Sequence, residues 1–408
     1  MQCGLLGRKL GHSYSPQIHS LLADYDYRLY EVEPDALGDF LRNADFSGLN
    51  VTMPYKKDVI PYLDALTPVA RRLGAVNTIV RNADGTLTGH NSDFFGFSTM
   101  LRHSGLDVAG KKVLVLGSGG ASNTAVAVLQ DNGANVITIS RSGEHNYKNL
   151  HLHQDAAVIV NTTPVGMYPN TGLSPVALSL FPNLEGVLDV VYNPAKTQLL
   201  LDAQKRGLIT ENGLLMLIAQ AKESAEWFSG CAIPDARITE IHKILRNQME
   251  NIVLIGMPGS GKSTIAALLA EETGKPVEDA DTQIAALAGK TIPEIFAEDG
   301  EDAFRALETQ ALSELCKRSG LIIATGGGCV TRERNHAILH QNGMVFCLRR
   351  DLDKLPTDGR PLSQMGTLRE MAAVREPLYA SFADVFVDNN GTPASAAGQI
   401  LSIWEERK

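Results

Sequence analysis

Two stretches of the chain repeat one pattern of apolar and polar positions: a short apolar run, a glycine-rich turn, then apolar residues at helical spacing. The first runs Lys112-Val-Leu-Val-Leu-Gly117, Ser-Gly-Gly-Ala, a helical stretch to Asn132 and a β-rich segment from Asn135 to Ser140. The second runs Asn251-Ile-Val-Leu-Ile-Gly256, Met-Pro-Gly-Ser-Gly-Lys-Ser-Thr and a helical stretch to about Glu272. Both predict the opening βα unit of a parallel, doubly wound sheet. Between them, Ile238, Ile241, Ile244 and Leu245 recur at helical spacing and predict a helix that ends a few residues before the second unit. So short a connection is expected to restrict how the flanking parts orient.

At 408 residues the chain is too long for one ordinary core, and no low-complexity linker, charge block or solenoid repeat marks a boundary. Its composition, 44% hydrophobic and 20% charged, is that of a globular protein. A formal charge of −9 argues against a chain that coats nucleic acid or an anionic membrane, both of which need a basic face. Small anionic substrates are compatible with it, and they call for local Lys and Arg clusters. The five cysteines, Cys3, Cys231, Cys316, Cys329 and Cys347, are scattered without a C-x-x-C pair, which gives neither a disulfide framework nor a zinc site. With no signal-peptide pattern at Met1–Lys9 and no bilayer-length apolar run, a reducing cytoplasm is the expected compartment. The oligomeric state is not legible.

Gly256-Met-Pro-Gly259-Ser260-Gly261-Lys262-Ser263-Thr264 matches the Walker A pattern in full. Its glycines let consecutive backbone N–H groups turn toward phosphate oxygens, Lys262 neutralises β/γ charge, and the Ser263 hydroxyl is placed for Mg²⁺. Asp279 and Asp281 follow two residues apart; on a strand both would point to one face. Gly300-Glu-Asp-Ala-Phe304-Arg305, Ala324-Thr325-Gly326-Gly327-Gly328, Asp358-Gly-Arg360 and Arg375-Glu-Pro-Leu-Tyr379 come next. Singly, such an arginine is a solvated charge and such glycines a turn. In this order they resemble shikimate kinase over residues 251–390. The resemblance implies magnesium at Asp279 and Ser263, ring hydroxyls at Asp281, and a carboxylate clamp of Arg305 and Arg375 with Gly327 at the ring. It further implies a mobile Arg360 at the transferring phosphoryl. The stretch Leu348–Arg360 is shorter than usual in that family; an upstream arginine that often covers adenine is missing, and Lys354 is its weak stand-in.

Gly117-Ser118-Gly119-Gly120-Ala121-Ser122 is a dinucleotide-binding turn in βαβ context, with serine in the third small position. Where an NAD site carries an acidic residue for the ribose diol, this chain has Ser140-Arg141-Ser142, which favours the 2′-phosphate of NADP. Glu144 and His145 follow where a second arginine is frequent. Upstream, Ser13-Tyr-Ser15-Pro16 reads as a helix start with Ser15 as cap. Then come Asn50-Val-Thr52-Met-Pro-Tyr-Lys56, Gly74-Ala-Val-Asn77-Thr, Gly89-His-Asn-Ser-Asp93, Val160-Asn161-Thr-Thr-Pro, Asp189-Val190-Val-Tyr192 and Gly213-Leu-Leu-Met-Leu-Ile-Ala-Gln220.

This succession resembles shikimate dehydrogenase over residues 2–247. The resemblance implies that Ser13 and Ser15 hold the substrate carboxylate beside Tyr192. Thr52, Asn77 and Gln220 would take ring hydroxyls, Lys56 and Asp93 would be the catalytic pair, and Gly213 and Val190 would approach the nicotinamide. Asn123, where relatives often have a basic residue, and a short stretch from Arg141 to Asn161 depart from the family.

Together the resemblances imply an α/β fold in three parts. These are a shikimate-dehydrogenase-like substrate domain (1–100 plus 213–249), a Rossmann NADP domain (101–212), and a P-loop, nucleoside-monophosphate-kinase-like domain (250–408). They imply two activities: NADPH-dependent reduction of 3-dehydroshikimate and ATP- and Mg²⁺-dependent phosphorylation of shikimate, with 3-dehydroshikimate, shikimate and ATP as small-molecule partners and neither nucleic acid nor membrane among them. A front half acting on quinate, or one half decayed into a scaffold or sensor, are the alternatives.

Overall fold

In the front sheet, β1 (Gln2–Gly7), β2 (Asp26–Glu31), β3 (Gly48–Val51), β4 (Ala65–Leu66), β5 (Thr78–Arg81) and β6 (Leu87–His90) lie in the order β2-β1-β3-β5-β6-β4. The first three are mutually parallel, whereas β5 runs antiparallel to β3 and β6. These coordinates come from a computed structural model that describes residues 1–11, 13–355 and 368–407. Arg360 lies outside the described residues.

A second sheet contains β7 (Lys112–Leu116), β8 (Asn135–Ile139), β9 (Val158–Asn161), β10 (Gly186–Asp189) and β11 (Ile209–Glu211), all parallel, in the order β11-β10-β9-β7-β8. Val113 and Val115 of β7 enter one core with Val128 and Leu129 of the following helix. The stretch after β8 holds only the short 3₁₀ turn Leu150–His153, in line with its brevity in the sequence.

The third sheet is parallel throughout: β12 (Asn251–Gly256), β13 (Val277–Asp279), β14 (Ile322–Ala324), β15 (Gly343–Arg349) and β16 (Val385–Asp388), in the order β13-β14-β12-β15-β16. The unbroken apolar run of β12 has a simple cause. Val253 and Ile255 pack into one core while Ile252 and Leu254 pack into another, so both faces of the strand are covered.

Two compact units contain these sheets. One comprises Met1–Gly166, Leu173–Tyr192 and Asp202–Ile244; the other comprises Met167–Gly172, Asn193–Leu201 and Leu245–Lys408. No helix among the described residues is long and apolar enough to cross a membrane.

The helix expected before Asn251 is present as Ala236–Met249; it buries Ile238, Ile241 and Leu245 and leaves Ile244 38% exposed. Two sequence expectations are corrected here. The helix Ser15–Leu22 begins at Ser15 with Tyr14 as cap, because the Ser13 hydroxyl accepts the Ser15 N–H at 3.2 Å and draws the turn one residue back. Asp279 and Asp281 do not share a strand face. Asp279 ends β13 and caps the helix Ala280–Ala288, accepting the N–H of Asp281 at 2.9 Å.

Within the first unit, the helices Asp93–Ser104 and Leu214–Ser229 approach closely at Gly96. A Cβ there would lie 2.7 Å from the Met216 carbonyl oxygen and 3.0 Å from Gln220 Cβ. Gly96→Ala is therefore expected to destabilise the unit by about 1–2 kcal/mol, the cost of overpacking against backbone exceeding the gain in helix propensity. Urea unfolding measures this, and a stabilised variant would show that the helices can part freely.

Candidate active sites

The C-terminal ends of β1 and β3 lead into the loops that carry the front site. Thr52 follows β3, donates its N–H to the Leu6 carbonyl at 2.9 Å and packs its methyl where a side chain on Gly7 would stand. The loop beyond it is anchored by Tyr55, which is 1% exposed and donates its hydroxyl to the Val32 carbonyl at 2.5 Å. This fixes Lys56, whose ammonium reaches the Asp93 carboxylate at 2.5 Å. Asp93 opens the helix Asp93–Ser104, where free N–H groups favour its charge. The side chains of the pair are 26% and 12% exposed, so the ammonium is partly open to solvent rather than sealed.

Next to the pair lies a buried polar cluster. Asn77 donates to the Ser92 hydroxyl at 3.0 Å and to the Gln220 side-chain oxygen at 3.5 Å, and it accepts the Ser92 N–H at 2.7 Å. Gln220 donates to the Leu217 carbonyl at 3.0 Å, so the orientation of its amide is set from both ends. The Ser224 hydroxyl, one helical turn on, lies 2.8 Å from Asn50, 2.8 Å from Thr78 and 2.9 Å from Ser92. Sequence reasoning found Asn77 and Gln220 and missed Asn50, Ser92 and Ser224. A polar residue four positions after Gln220, on the apolar face of its helix, is the signal that was there to find.

Ser13 and Ser15 sit before and at the start of their helix, with Tyr14 between them in edge-to-face contact with Tyr192, ring centroids 6.2 Å apart. Burial, with Tyr14 as a lesser cause, holds the Tyr192 hydroxyl above its ordinary pKa, hence protonated and a donor.

The glycine turn after β7 is open. Side chains on Gly119 or Gly120 would meet nothing within 4 Å, whereas one on Gly117, at φ +117°, would strike the Thr162 hydroxyl. Ser118 is exposed and Ala121 half-buried beside this space. Serine fits the third small position because the Ser122 hydroxyl turns inward and donates to the Gly117 carbonyl at 2.8 Å. Ser140, Arg141 and Ser142 follow β8, and Arg141 and Ser142 are exposed. Gly213 lies flat on Val190, with no room between them: a Cβ there would stand 2.0 Å from the Val190 carbonyl oxygen.

In the second unit, the loop between β12 and the helix Lys262–Thr273 borders a cleft of about 670 Å³. Gly259 and Gly261 hold φ of +83° and +94°, conformations that turn successive N–H groups to one side. Lys262 is 9% exposed and donates to the Gly256 and Met257 carbonyls at 2.9 and 3.1 Å. Ser260 is fully buried, and its carbonyl accepts from Asn389 at 2.6 Å, a tie that local sequence gave no sign of. The Ser263 hydroxyl donates to Asp279 at 3.4 Å, so one hydroxyl and one carboxylate oxygen stand together as hard ligands suited to Mg²⁺.

Across the same cleft stand Thr264, Asp281, Arg305, Gly327 and Arg375. Arg305 is 4% exposed and clamped by Glu308 at 2.7 Å and Glu301 at 3.2 Å. Burial pushes the Glu308 carboxyl above its ordinary pKa against the pull of Arg305, and its second oxygen has no partner among the described residues. The three glycines explain one another. A Cβ on Gly326 would crowd Glu308 and Asp281, one on Gly327 would strike Pro258, and one on Gly328 would stand 2.2 Å from the Arg305 guanidinium. The Gly327 carbonyl also accepts from Arg375 at 3.2 Å and from the Tyr379 hydroxyl at 2.5 Å.

Comparison with known proteins agrees with both halves. Residues 5–79 match the model of the shikimate dehydrogenase substrate binding domain, and residues 258–405 match that of shikimate kinase. A shikimate dehydrogenase (NADP(+)) of Clostridium perfringens is 35% identical over 266 residues, covering 60% of this chain and 97% of that protein. Among solved structures, shikimate dehydrogenase 1 of Peptoclostridium difficile is 36% identical with a TM-score of 0.55, covering 60% of this chain and 97% of its own. A chorismate mutase/shikimate 5-dehydrogenase fusion protein of Clostridium acetobutylicum is 35% identical with a TM-score of 0.57, covering 60% of this chain and 96% of its own. The chain therefore belongs to the shikimate dehydrogenase family and carries, at its C-terminal end, a shikimate kinase domain.

Proposed function

We propose that this chain performs two consecutive reactions of the shikimate pathway: reduction of 3-dehydroshikimate by NADPH, then phosphorylation of the shikimate formed by ATP with Mg²⁺. The observation that carries the reading is the 2.5 Å Lys56–Asp93 pair beside the Asn77–Gln220 amides, on the same chain as a complete phosphate cradle facing two arginines. When bound, NADPH supplies a hydride, ATP the phosphoryl group, and Mg²⁺ withdraws charge from the phosphates.

In the front site, Ser13, Ser15 and the Tyr192 hydroxyl bind the carboxylate, and Thr52, Asn77 and Gln220 bind the ring hydroxyls. As hydride reaches the carbonyl carbon, charge builds on its oxygen. The Lys56 ammonium donates a hydrogen bond and then the proton, giving the alcohol, while Asp93 holds the ammonium in place. The open glycine turn at Gly119 and Gly120 has room for the cofactor pyrophosphate, and the exposed Arg141 with Ser140 and Ser142 suits a 2′-phosphate. Gly213, packed against the Val190 backbone with no room for a side chain, is the main chain assigned to the nicotinamide.

In the second site, Arg305 and Arg375 grip the carboxylate, and Asp281 orients the attacking hydroxyl and accepts its proton as the new P–O bond forms and ADP departs. The glycine-loop N–H groups and Lys262 stabilise charge on the phosphates. Asp279 and Ser263 would hold the metal, which would draw charge from the phosphates. Arg360, which lies outside the described residues, is assigned to the transferring phosphoryl by the kinase resemblance alone.

Lys56→Ala is expected to cut ketone reduction by roughly 10²–10⁴-fold, the usual worth of a positioned acid, and to leave phosphorylation intact. Lys262→Ala should do the reverse. Separate assays of NADPH oxidation and ADP release check this, and loss of both activities in a folded single variant would contradict independent sites. Arg141→Ala should reduce the preference for NADPH over NADH by about tenfold, the worth of one charge-assisted contact. Steady-state kcat/KM ratios measure it, and an unchanged ratio would remove Arg141 from the cofactor site.

A further inference from the structure

Five cations line the cleft of the second unit: Lys262, Arg305, Arg350, Lys354 and Arg375. Four have partners. Lys262 bonds two carbonyls, Arg305 two glutamates, Arg375 the Gly327 carbonyl, and Lys354 meets Asp351 at 3.3 Å and the Asn390 carbonyl at 3.4 Å. Arg350 is the exception among the described residues: its guanidinium has no ion pair or hydrogen bond, and its Nε is buried without a partner. An unpaired, partly buried guanidinium is costly unless an anion joins it.

Its position says which anion. Arg350 directly follows β15, which pairs with β12, the strand that delivers the glycine loop; Leu348 lies opposite Gly256. Successive residues of an extended chain point to opposite sides, and here the two arginines part. Arg349 stacks on the Phe386 ring at 3.7 Å from its centroid, while Arg350 turns to the loop, with Nη1 at 3.8 Å from where a Cβ on Gly261 would stand. It thus faces the first turn of the helix Lys262–Thr273, whose free N–H groups attract phosphate.

We propose that Arg350 is a ligand of the nucleotide phosphates, a second cation beside Lys262 delivered from the end of β15. The assignment rests on the reading of this cleft as an ATP site and adds to it a residue that the kinase resemblance does not supply. Lys354, the sequence's stand-in for the missing arginine, is held by Asp351 and Asn390; Arg350 is open. A guanidinium fork suits two phosphate oxygens in a way that an ammonium does not.

The test is calorimetric titration of the full chain with magnesium ADP and, separately, with inorganic tripolyphosphate. Arg350→Ala is expected to weaken both by about tenfold to a hundredfold, the worth of charge-assisted bonds to phosphate. Arg350→Lys should recover part of the loss, and Arg349→Ala should stay within about twofold of wild type, given its stacked, outward position. The KM for shikimate should not move in any of them. Circular dichroism confirms that the variants fold, and the lysine variant serves if the alanine one does not. Unchanged affinity in Arg350→Ala would overturn the proposal. So would a loss for ADP without a loss for tripolyphosphate, which would put the contact on the base or sugar. If the wild-type chain bound neither probe, the ATP reading itself would fall and the assignment with it.

Discussion

A parallel strand that ends in a helix leaves the first N–H groups of that helix without backbone partners, and much of the chemistry of this chain gathers where that happens. After β7 and after β12 the chain must turn within a few residues, which demands positive φ at Gly117, Gly256, Gly259 and Gly261. Those glycines do more than permit the turn. Bare backbone at Gly119 and Gly120 leaves space over the donors, and any side chain at Gly261 would displace Asn389. Both glycine turns thus follow from one requirement, that a sheet with both faces covered present its free donors only at the ends of its strands.

The charged groups are arranged around a second requirement, that a buried charge keep a partner. Lys56 and Asp93 meet with some access to solvent, so neither pays the full cost of desolvation. Arg305 and Glu308 are almost wholly enclosed, and Glu301 adds a second carboxylate at the edge. That difference suits the roles proposed above, in which Lys56 would exchange a proton with its surroundings and Arg305 would hold a carboxylate in a fixed, permanently charged fork.

A third constraint is the buried polar cluster of Asn50, Asn77, Thr78, Ser92, Gln220 and Ser224 in the first unit. It joins β3, β5, the turn before Asp93 and the helix Leu214–Ser229 through side chains rather than backbone. Gln220 comes from the far end of the front unit's sequence, yet its amide orientation is set by Asn77 and Leu217. Close helix approach at Gly96 makes this possible, since a larger residue would hold Gln220 away from its partners.

Local pattern was enough to read the parallel sheets, both glycine turns, the helix before Asn251 and the two family resemblances, because apolar periodicity and glycine placement act over a few residues. It was also enough to name Lys56, Asp93, Asn77, Gln220, Arg305 and Arg375 through motif order. It could not show that Ser224 ties the front cluster together, that Asn389 holds the Ser260 carbonyl, or that Arg350 faces the glycine loop without a partner among the described residues. Each of these depends on which distant strand or helix a side chain meets after packing, and residues 129 or 146 positions apart leave no mark of their meeting in local spacing.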